Sequence, residues 1–424
     1  MNKCMLSVAV SAVAVSALAV VPEVSDIVST QDSGSRKVKV EYTLANEPAI
    51  VTLSVETNGP NGWVSIGDEN LTYVAGDANK IVQPGARSLT WAPHKAWPNQ
   101  FINDGNIRVG VKAWATNAPP EIMAVNLKAE KTVHYYSSAA ALPGGVTNDL
   151  YKTDILVMRL IPAGNVTWTM GSPVTEPRRD SAGTAVRETP HEVTLGDDYY
   201  IGVYPVTQRQ YELIAQTNPS KYKNSSDYAT RPAEWMSFEA LRGKASDGYD
   251  YPNNGHVVKS NSFIGTLRAF SGVDGFDLPT DAQWEFACRA GCGNGLYNGT
   301  EVTAYGECTN LNVLGRYQYN GGYLNGVAPA ADSNADHGSA KVGTYLPNDW
   351  GLYDMLGNVQ EWCLDWYKEA SLDSEGKSPT SGTERVMRGG SYNSVAAVCR
   401  CACRDKYAPG QVHSAIGFRL ACSK

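Results

Sequence analysis

Phenylalanine is scarce in this 424-residue chain, with 7 residues against 23 tyrosines and 10 tryptophans. Aromatics that carry a polar handle suit a loop-rich fold whose interior must satisfy many hydrogen bonds. Cysteine is absent between Cys4 and Cys288, so the first half holds no disulfide framework and no thiolate metal site. An excess of positive charge is also absent. The formal net charge is -7, which leaves no electrostatic footprint for nucleic acid and no basic stripe for anionic lipid. Nucleophile-elbow, phosphate-loop and H-E-x-x-H motifs are missing, which removes the hydrolase, nucleotide and zinc-protease chemistries that depend on them. What remains is an acidic chain with 42% hydrophobic and 19% charged residues, a composition that folds. Its length exceeds one ordinary core and predicts two domains.

The one long apolar run, Met5 to Val21, follows Lys3 and contains the small-x-small site Ala17-Leu-Ala19. Pro22 and Glu23 end it short of a comfortable membrane span of about 20 residues. This pattern predicts a signal peptide over 1–21, and an exported protein with no membrane span once it is cleaved. An uncleaved anchor is the alternative. Cleavage removes Cys4 and leaves eight cysteines, an even number that favours disulfides in an exported chain.

Strand patterns fill the next hundred residues. Val38, Val40, Tyr42 and Leu44 alternate with polar residues, as do Val51, Leu53 and Val55, then Ile107, Val109 and Val111, then Met123, Val125 and Leu127. Period-two alternation marks half-buried strands. Several short strands without cysteine predict an immunoglobulin- or fibronectin-like β-sandwich over 36–135, an accessory module. Trp63, Trp91, Trp97 and Trp114 are read as core or edge packing, with a binding face as the alternative. Residues 136–153, with Pro143-Gly-Gly145, lack periodicity and read as a linker.

From Thr153 onward the pattern is irregular, with two predicted helices. Thr207 caps one that runs to Ala215. Thr280 caps the other, Asp281 to Ala290, with Gln283 placed for a capping box and Gly291 as a stop. The stretch Gly351-Leu-Tyr-Asp-Met-Leu-Gly-Asn-Val-Gln-Glu-Trp-Cys-Leu-Asp-Trp366 organises this half. It reads as a tight loop feeding a buried aromatic strand, with positive φ expected at Gly357. Asp354 and Glu361, with loop carbonyls between them, form a hard-cation donor set of the calcium type; a loop with solvated acids is the plainer alternative.

The wording of that stretch closely resembles the signature of the formylglycine-generating enzyme (sulfatase-modifying factor) family. Other segments agree in order: Arg159-Leu-Ile-Pro-Ala-Gly164 with Met170-Gly-Ser172, Glu188-Thr-Pro-His-Glu-Val-Thr-Leu195, Leu278-Pro-Thr-Asp-Ala-Gln-Trp-Glu-Phe-Ala-Cys-Arg-Ala-Gly291, Arg388-Gly-Gly-Ser-Tyr392 and Gly417-Phe-Arg-Leu-Ala421. The resemblance covers 154–424 and implies an α+β, C-type-lectin-like fold with much irregular loop. It implies calcium on Asp354, the carbonyls of Gly357 and Val359, and Glu361. A second calcium set would use Asn312 and the Val313 carbonyl, with a donor near Asn334 to Asp336. It implies a disulfide between Cys288 and Cys401, and Cys292 with Cys308 as a second pair.

Family members that make formylglycine bind copper(I) through two cysteines five residues apart after the Gly-Gly-Ser turn, and with oxygen they oxidise a sulfatase cysteine. Soft thiolates select that metal. Here the first position is Ser394 and the second is Cys399; Ser391 matches a hydroxyl beside the family's oxygen site. A serine is a hard, protonated donor that cannot replace a thiolate on copper(I). Gln360 stands where an aromatic is usual. If Cys399, Cys401 and Cys403 share one strand face, their sulfurs line up about 7 Å apart. That row could hold a soft metal if the strand bends, but separate burial is the simpler reading. His191 at a strand start reads as structural, since catalysis needs an oriented partner. The histidine-rich motif of the related sulfur-transfer enzymes is missing. Together these expectations describe a calcium-stabilised binding protein for a protein or glycan ligand, with the copper- and oxygen-dependent oxidase of a sulfatase peptide as the alternative.

Overall fold

The computed structural model describes residues 21–60, 62–67, 70–100, 105–129, 132–177, 179, 187–322, 337–369 and 378–423. The expected signal peptide and the segment Asn334 to Asp336 lie outside the described residues. The chain divides into two units, with the division at Ala118 and Pro119.

In the first unit, Glu23–Gln31, Val38–Ala45, Gly85–Trp91 and Val74–Gly76 form an antiparallel sheet in that order. In a second sheet, Ala49–Gly59 pairs from Ala49 to Thr57 with Ile107–Ala115 on one side, and with Gly62–Ser65 and Ile81–Val82 on the other. The alternation read from sequence is the burial pattern found. Val40, Tyr42 and Leu44 join Val51, Val55, Leu89 and Trp91 in one apolar cluster. The four tryptophans do not share one face: Trp91 is in that core and Trp97 packs against it, while Trp63 and Trp114, paired with Asn58 and Ile50, stand on the other side of the second sheet, Trp114 donating to Thr52 Oγ1 at 2.9 Å. Trp63 lies under the Arg108 guanidinium.

The second unit is built on a six-stranded antiparallel sheet ordered Val133–Tyr136, Ile122–Asn126, Ile155–Ile161, Tyr199–Gly202, Ala421–Ser423 and Phe276–Asp277. This moves the expected boundary. Met123 and Val125 alternate as read, but their strand lies between Val133–Tyr136 and Ile155–Ile161, not in the first unit. Alternation identifies a strand without saying which sheet completes it. Residues 136–153 are likewise not a free linker. They form two 3₁₀ turns, Ala139–Ala141 and Asp149–Lys152, the second capped by Asn148. Tyr136, Leu142 and Tyr151 are buried against Val157, Tyr204 and Tyr353.

A four-stranded sheet, Arg404–Tyr407, Arg385–Arg388, Gln360–Trp366 and Ile416–Gly417, carries the organising stretch; its last pair is parallel. Both predicted helices are present. Gln208–Ala215 and Asp281–Arg289 each begin with a complete capping box, Thr207 with Gln210 and Thr280 with Gln283. Two further helices, Phe238–Arg242 and Phe263–Ser271, cover the sheet's other apolar cluster.

Candidate functional site

Four left-handed residues shape the central loop: Gly351 (φ +69°), Asp354 (+54°), Gly357 (+80°) and Asn358 (+61°). Only Gly, and occasionally Asn or Asp, enter this region at low cost. At Gly357 the need is also steric, because a Cβ there would lie 2.2 Å from the Arg316 carbonyl oxygen. Asn358 ties the loop down: its Oδ1 accepts the Ala340 N–H at 2.9 Å, and its Nδ2 donates to Ala340 O and Asp354 Oδ1, each at 3.2 Å.

Asp354 is buried, and its Oδ2 accepts the Gly343 N–H at 2.6 Å. Burial, with the Glu361 charge adding to it, pushes its pKa up to about 6 against the pull of Gly343, Arg419 and Asn358. Glu361 Oε2 accepts from Arg419 Nε and from Trp284 Nε1, both at 2.6 Å. Glu361 Oε1 is buried without a hydrogen-bond partner. Two dry carboxylates therefore share one guanidinium and leave one acceptor unused. That imbalance is what a bound cation corrects, so the set fits calcium. The second expected set fits less well: Asn312 Oδ1 accepts from Tyr317 OH at 2.9 Å, and the Val313 carbonyl accepts the Leu346 N–H at 3.0 Å. No three His, Cys, Asp or Glu side chains group as a metal cluster among the described residues.

The Gly389-Gly390 turn leads into a hydroxyl pair. The Ser391 N–H donates to Ser394 Oγ at 3.0 Å, Ser391 Oγ donates to Asn393 Oδ1 at 2.6 Å, and the two hydroxyls lie 3.0 Å apart. Cys399 follows the 3₁₀ turn Ala396–Val398 and is fully buried. Its sulfur occupies the space beside Gly390, 2.5 Å from where a Cβ would be, within the core cluster of Trp284, Ala287 and Cys288. The five-residue spacing thus does not give a pair of soft ligands. One member is a hydroxyl held by Ser391, the other a sulfur packed into the core. Copper(I) does not fit these residues.

The row of alternate cysteines is not a strand face. Cys399 to Cys403 turn, with the Cys403 N–H on Arg400 O at 3.1 Å, and the strand begins only at Arg404. Turn geometry overrides the alternation. Cys401 and Cys288 are brought together as side-chain neighbours, and burial drives the Cys288 pKa far up. Cys292 and Cys308 have separate hydrogen-bond partners, Leu296 O and Asn294 Oδ1 for the first, Thr303 Oγ1 and Glu301 O for the second. His191 Nδ1 meets Thr189 O at 2.8 Å, and among the described residues no catalytic partner is hydrogen-bonded to the ring.

The sequence of residues 148–424 matches a family model described as "Sulfatase-modifying factor enzyme 1-like domain". The chain belongs to this family. It is 29% identical over 317 residues to the formylglycine-generating enzyme of Mus musculus, covering 68% of this chain and 80% of the relative. It is 42% identical over 238 residues to the serine/threonine-protein kinase Pkn1 of Chlamydia trachomatis, covering 54% of this chain and 34% of that one. Among solved structures, Treponema denticola variable protein 1 is 27% identical, covering 64% of this chain and 96% of that chain with a TM-score of 0.45.

Inside this sulfatase-modifying-factor domain lies a buried ion network that motif reading did not single out. Arg388 reaches Asp281 at 2.5 Å and Glu285 at 2.9 Å; Arg404 holds the other Asp281 oxygen at 2.8 Å; Arg289 holds Glu285 at 2.9 Å. Burial alone would raise the Asp281 pKa, but the charges of Arg388 and Arg404 outweigh it and hold the carboxyl below its usual range. Asp365 accepts the Asp281 N–H at 2.6 Å, and burial with the neighbouring Asp281 charge pushes its pKa up to about 7. The available signal was Asp281 and Glu285 four apart on one helix, one turn before Arg289. No helix among the described residues is long and apolar enough to cross a membrane.

Proposed function

We propose that this chain is an exported, calcium-stabilised binding protein of the sulfatase-modifying-factor family that has lost the copper-dependent oxidase reaction. The observation that carries this reading is the hydroxyl of Ser394 at the first ligand position, with Cys399 packed behind Gly390 at the second. Calcium is held by Asp354, Glu361 and the carbonyls of Gly357 and Val359; the unpartnered Glu361 Oε1 supports it. When bound, the ion supplies positive charge, and these residues orient the loop that precedes the strand Gln360–Trp366. The thiols of Cys288 and Cys401 close to a disulfide in an oxidising compartment, for which their contact is the support. The two sheets of the first unit make an immunoglobulin-like sandwich that serves as an accessory module. The ligand is a protein or a glycan.

Copper(I) titration and oxidation of a Cys-x-Pro-x-Arg peptide, with wild type beside Cys399→Ser, test the loss of catalysis. No copper binding and no aldehyde is the expected result. Aldehyde formation that disappears in the variant would replace this reading with the oxidase named by the family's enzymes. Melting with and without a calcium chelator tests the metal: a fall in Tm on chelation that Asp354→Ala abolishes is expected. Equal melting in both conditions would remove calcium from the account.

A further inference from the structure

His191 has no role in the function proposed above, yet its free ring nitrogen has a definite surrounding. A cavity of about 10 Å³ lies where the hairpin Val166–Met170/His191–Leu195, the helix Asp281–Arg289 and the strand Arg404–Tyr407 meet. It is lined by Arg187, Glu188, His191, Glu285 and Arg404, with Met170 and Ala402 among the apolar walls; the Glu188 carboxylate is already held by Arg400 and Ser172. Four of these have a buried atom without a hydrogen-bond partner among the described residues: His191 Nε2, Glu285 Oε2, Arg187 Nε and Arg404 Nη2. Four residues that line one cavity thus each hold a buried polar atom that lacks a hydrogen bond, and one shared partner would meet the cost of all four.

Their chemistry is complementary. Thr189 O can only accept, so His191 Nδ1 carries the proton and Nε2 offers a lone pair. Glu285 Oε2 also accepts; it lies 2.9 Å from Arg388 Nη2 but off the line of a hydrogen bond. Arg187 Nε and Arg404 Nη2 are donors, the latter 2.8 Å from Asp281 Oδ2 but off the line of a hydrogen bond. Two acceptors and two donors are the complement of a single water molecule, which gives two O–H bonds and accepts two. An anion would face the Glu285 carboxylate and the histidine lone pair. A cation would face two guanidinium groups. The volume is at the threshold of roughly 10–15 Å³ that one water needs, and 2–4 polar partners are what such waters have.

We infer that one buried water molecule occupies this cavity, bridging His191 Nε2 and Glu285 Oε2 as donor and Arg187 Nε and Arg404 Nη2 as acceptor. His191 is therefore a structural acceptor that ties the hairpin to the helix. The site does not depend on whether the domain is catalytic.

A crystal structure of the full chain, at a resolution that shows ordered water and grown in bromide, tests this directly. One density peak within hydrogen-bond reach of all four atoms, without bromide anomalous signal, is expected. An empty cavity or a bromide peak overturns the inference. In solution, the Ala402 methyl of alanine-methyl-labelled protein should show a cross-peak to a slowly exchanging water. Arg187→Ala should abolish it while the other methyl signals keep their positions, since the Arg187 side chain is 40% exposed and its loss opens the cavity to solvent. No cross-peak in wild type, or one that survives in Arg187→Ala, overturns the inference.

Discussion

Replacing Arg388 with methionine keeps most of the side-chain volume and removes the charge at the centre of the ion network. Three partners lose a contact: Asp281 at 2.5 Å, Glu285 at 2.9 Å and the Cys401 carbonyl at 3.2 Å. Asp281 keeps Arg404, and Glu285 keeps Arg289 and the Gly171 N–H, so neither carboxylate is wholly abandoned. The local balance nevertheless shifts by one charge away from bulk solvent, because Arg388, Asp281 and Glu285 are all fully buried. Breaking a buried pair from one side costs about 3–5 kcal/mol. That is a large part of the roughly 5–15 kcal/mol that keeps a domain folded. Urea unfolding of wild type and variant, followed by tryptophan fluorescence, measures it as a fall in midpoint. Arg108→Ala is the control. Its partner Glu56 is solvent-accessible, as Arg108 itself is, so its loss should leave the midpoint nearly unchanged. If Arg388→Met unfolds at the same urea concentration as the Arg108→Ala control, the network is not what holds this region together.

Glu234 is buried, accepts the Tyr222 N–H at 2.9 Å, and is pushed up to about 8 from 4.5, chiefly by burial. A raised carboxyl pKa stabilises the fold below the unfolded value and loses that contribution as pH rises through the folded one. Stability should therefore fall between about pH 4.5 and 8, and Glu234→Gln should flatten that slope in melts taken across the window. Gly357→Ala and Gly299→Ala separate strain from collision. Both sit near φ +80°, but a Cβ at Gly357 meets Arg316 O at 2.2 Å while one at Gly299 meets nothing within 4 Å. Backbone strain of about 1–3 kcal/mol applies to both; Gly357→Ala should cost measurably more by urea midpoint, and equal losses would refute the collision. Ser394→Cys should not create a copper(I) site, because its intended partner Cys399 stays in the core; tight binding in a chelator competition would show that the turn opens.

How much of this was legible in the sequence depends on how local each signal is. The helices starting at Gln208 and Asp281 could be read because Gln210 and Gln283 complete capping boxes within four residues. The helices starting at Phe238 and Phe263 use the same kind of cap, from Ser237 and Ser262, but Ala240 and Gly265 stand where the box needs a glutamine or glutamate. The positive φ at Gly357 was legible for the same local reason. The partner of Glu361 was not: Arg419 is 58 positions away and becomes a neighbour only through the parallel pairing of Gln360 and Glu361 with Ile416 and Gly417. The Cys399 to Cys403 spacing failed in the opposite way. Alternation was present, but a turn defined by contacts to Arg400 and Gly295 replaced the strand.

The buried arginines explain how a domain with so much irregular chain keeps a dry interior. Arg231, Arg242, Arg385, Arg388, Arg400 and Arg419 are among its largest fully buried side chains. In a regular sheet each carbonyl is satisfied by the next strand, but a looping backbone leaves carbonyls pointing inward with no ladder to meet them. Arginine offers five donors in a fixed fork, enough for a carboxylate and two carbonyls at once. Arg419 holds Glu361 and the carbonyls of Gly202 and Tyr353; Arg242 holds Asp277 and those of Tyr249 and Gly255; Arg385 holds Asp250 and those of Tyr251 and Leu364. Each guanidinium thus replaces secondary structure that the local sequence does not form, and its carboxylate partner cancels the charge of doing so. Loops fixed in this way can diverge in their exposed residues while the interior stays unchanged, which is the property a binding scaffold requires.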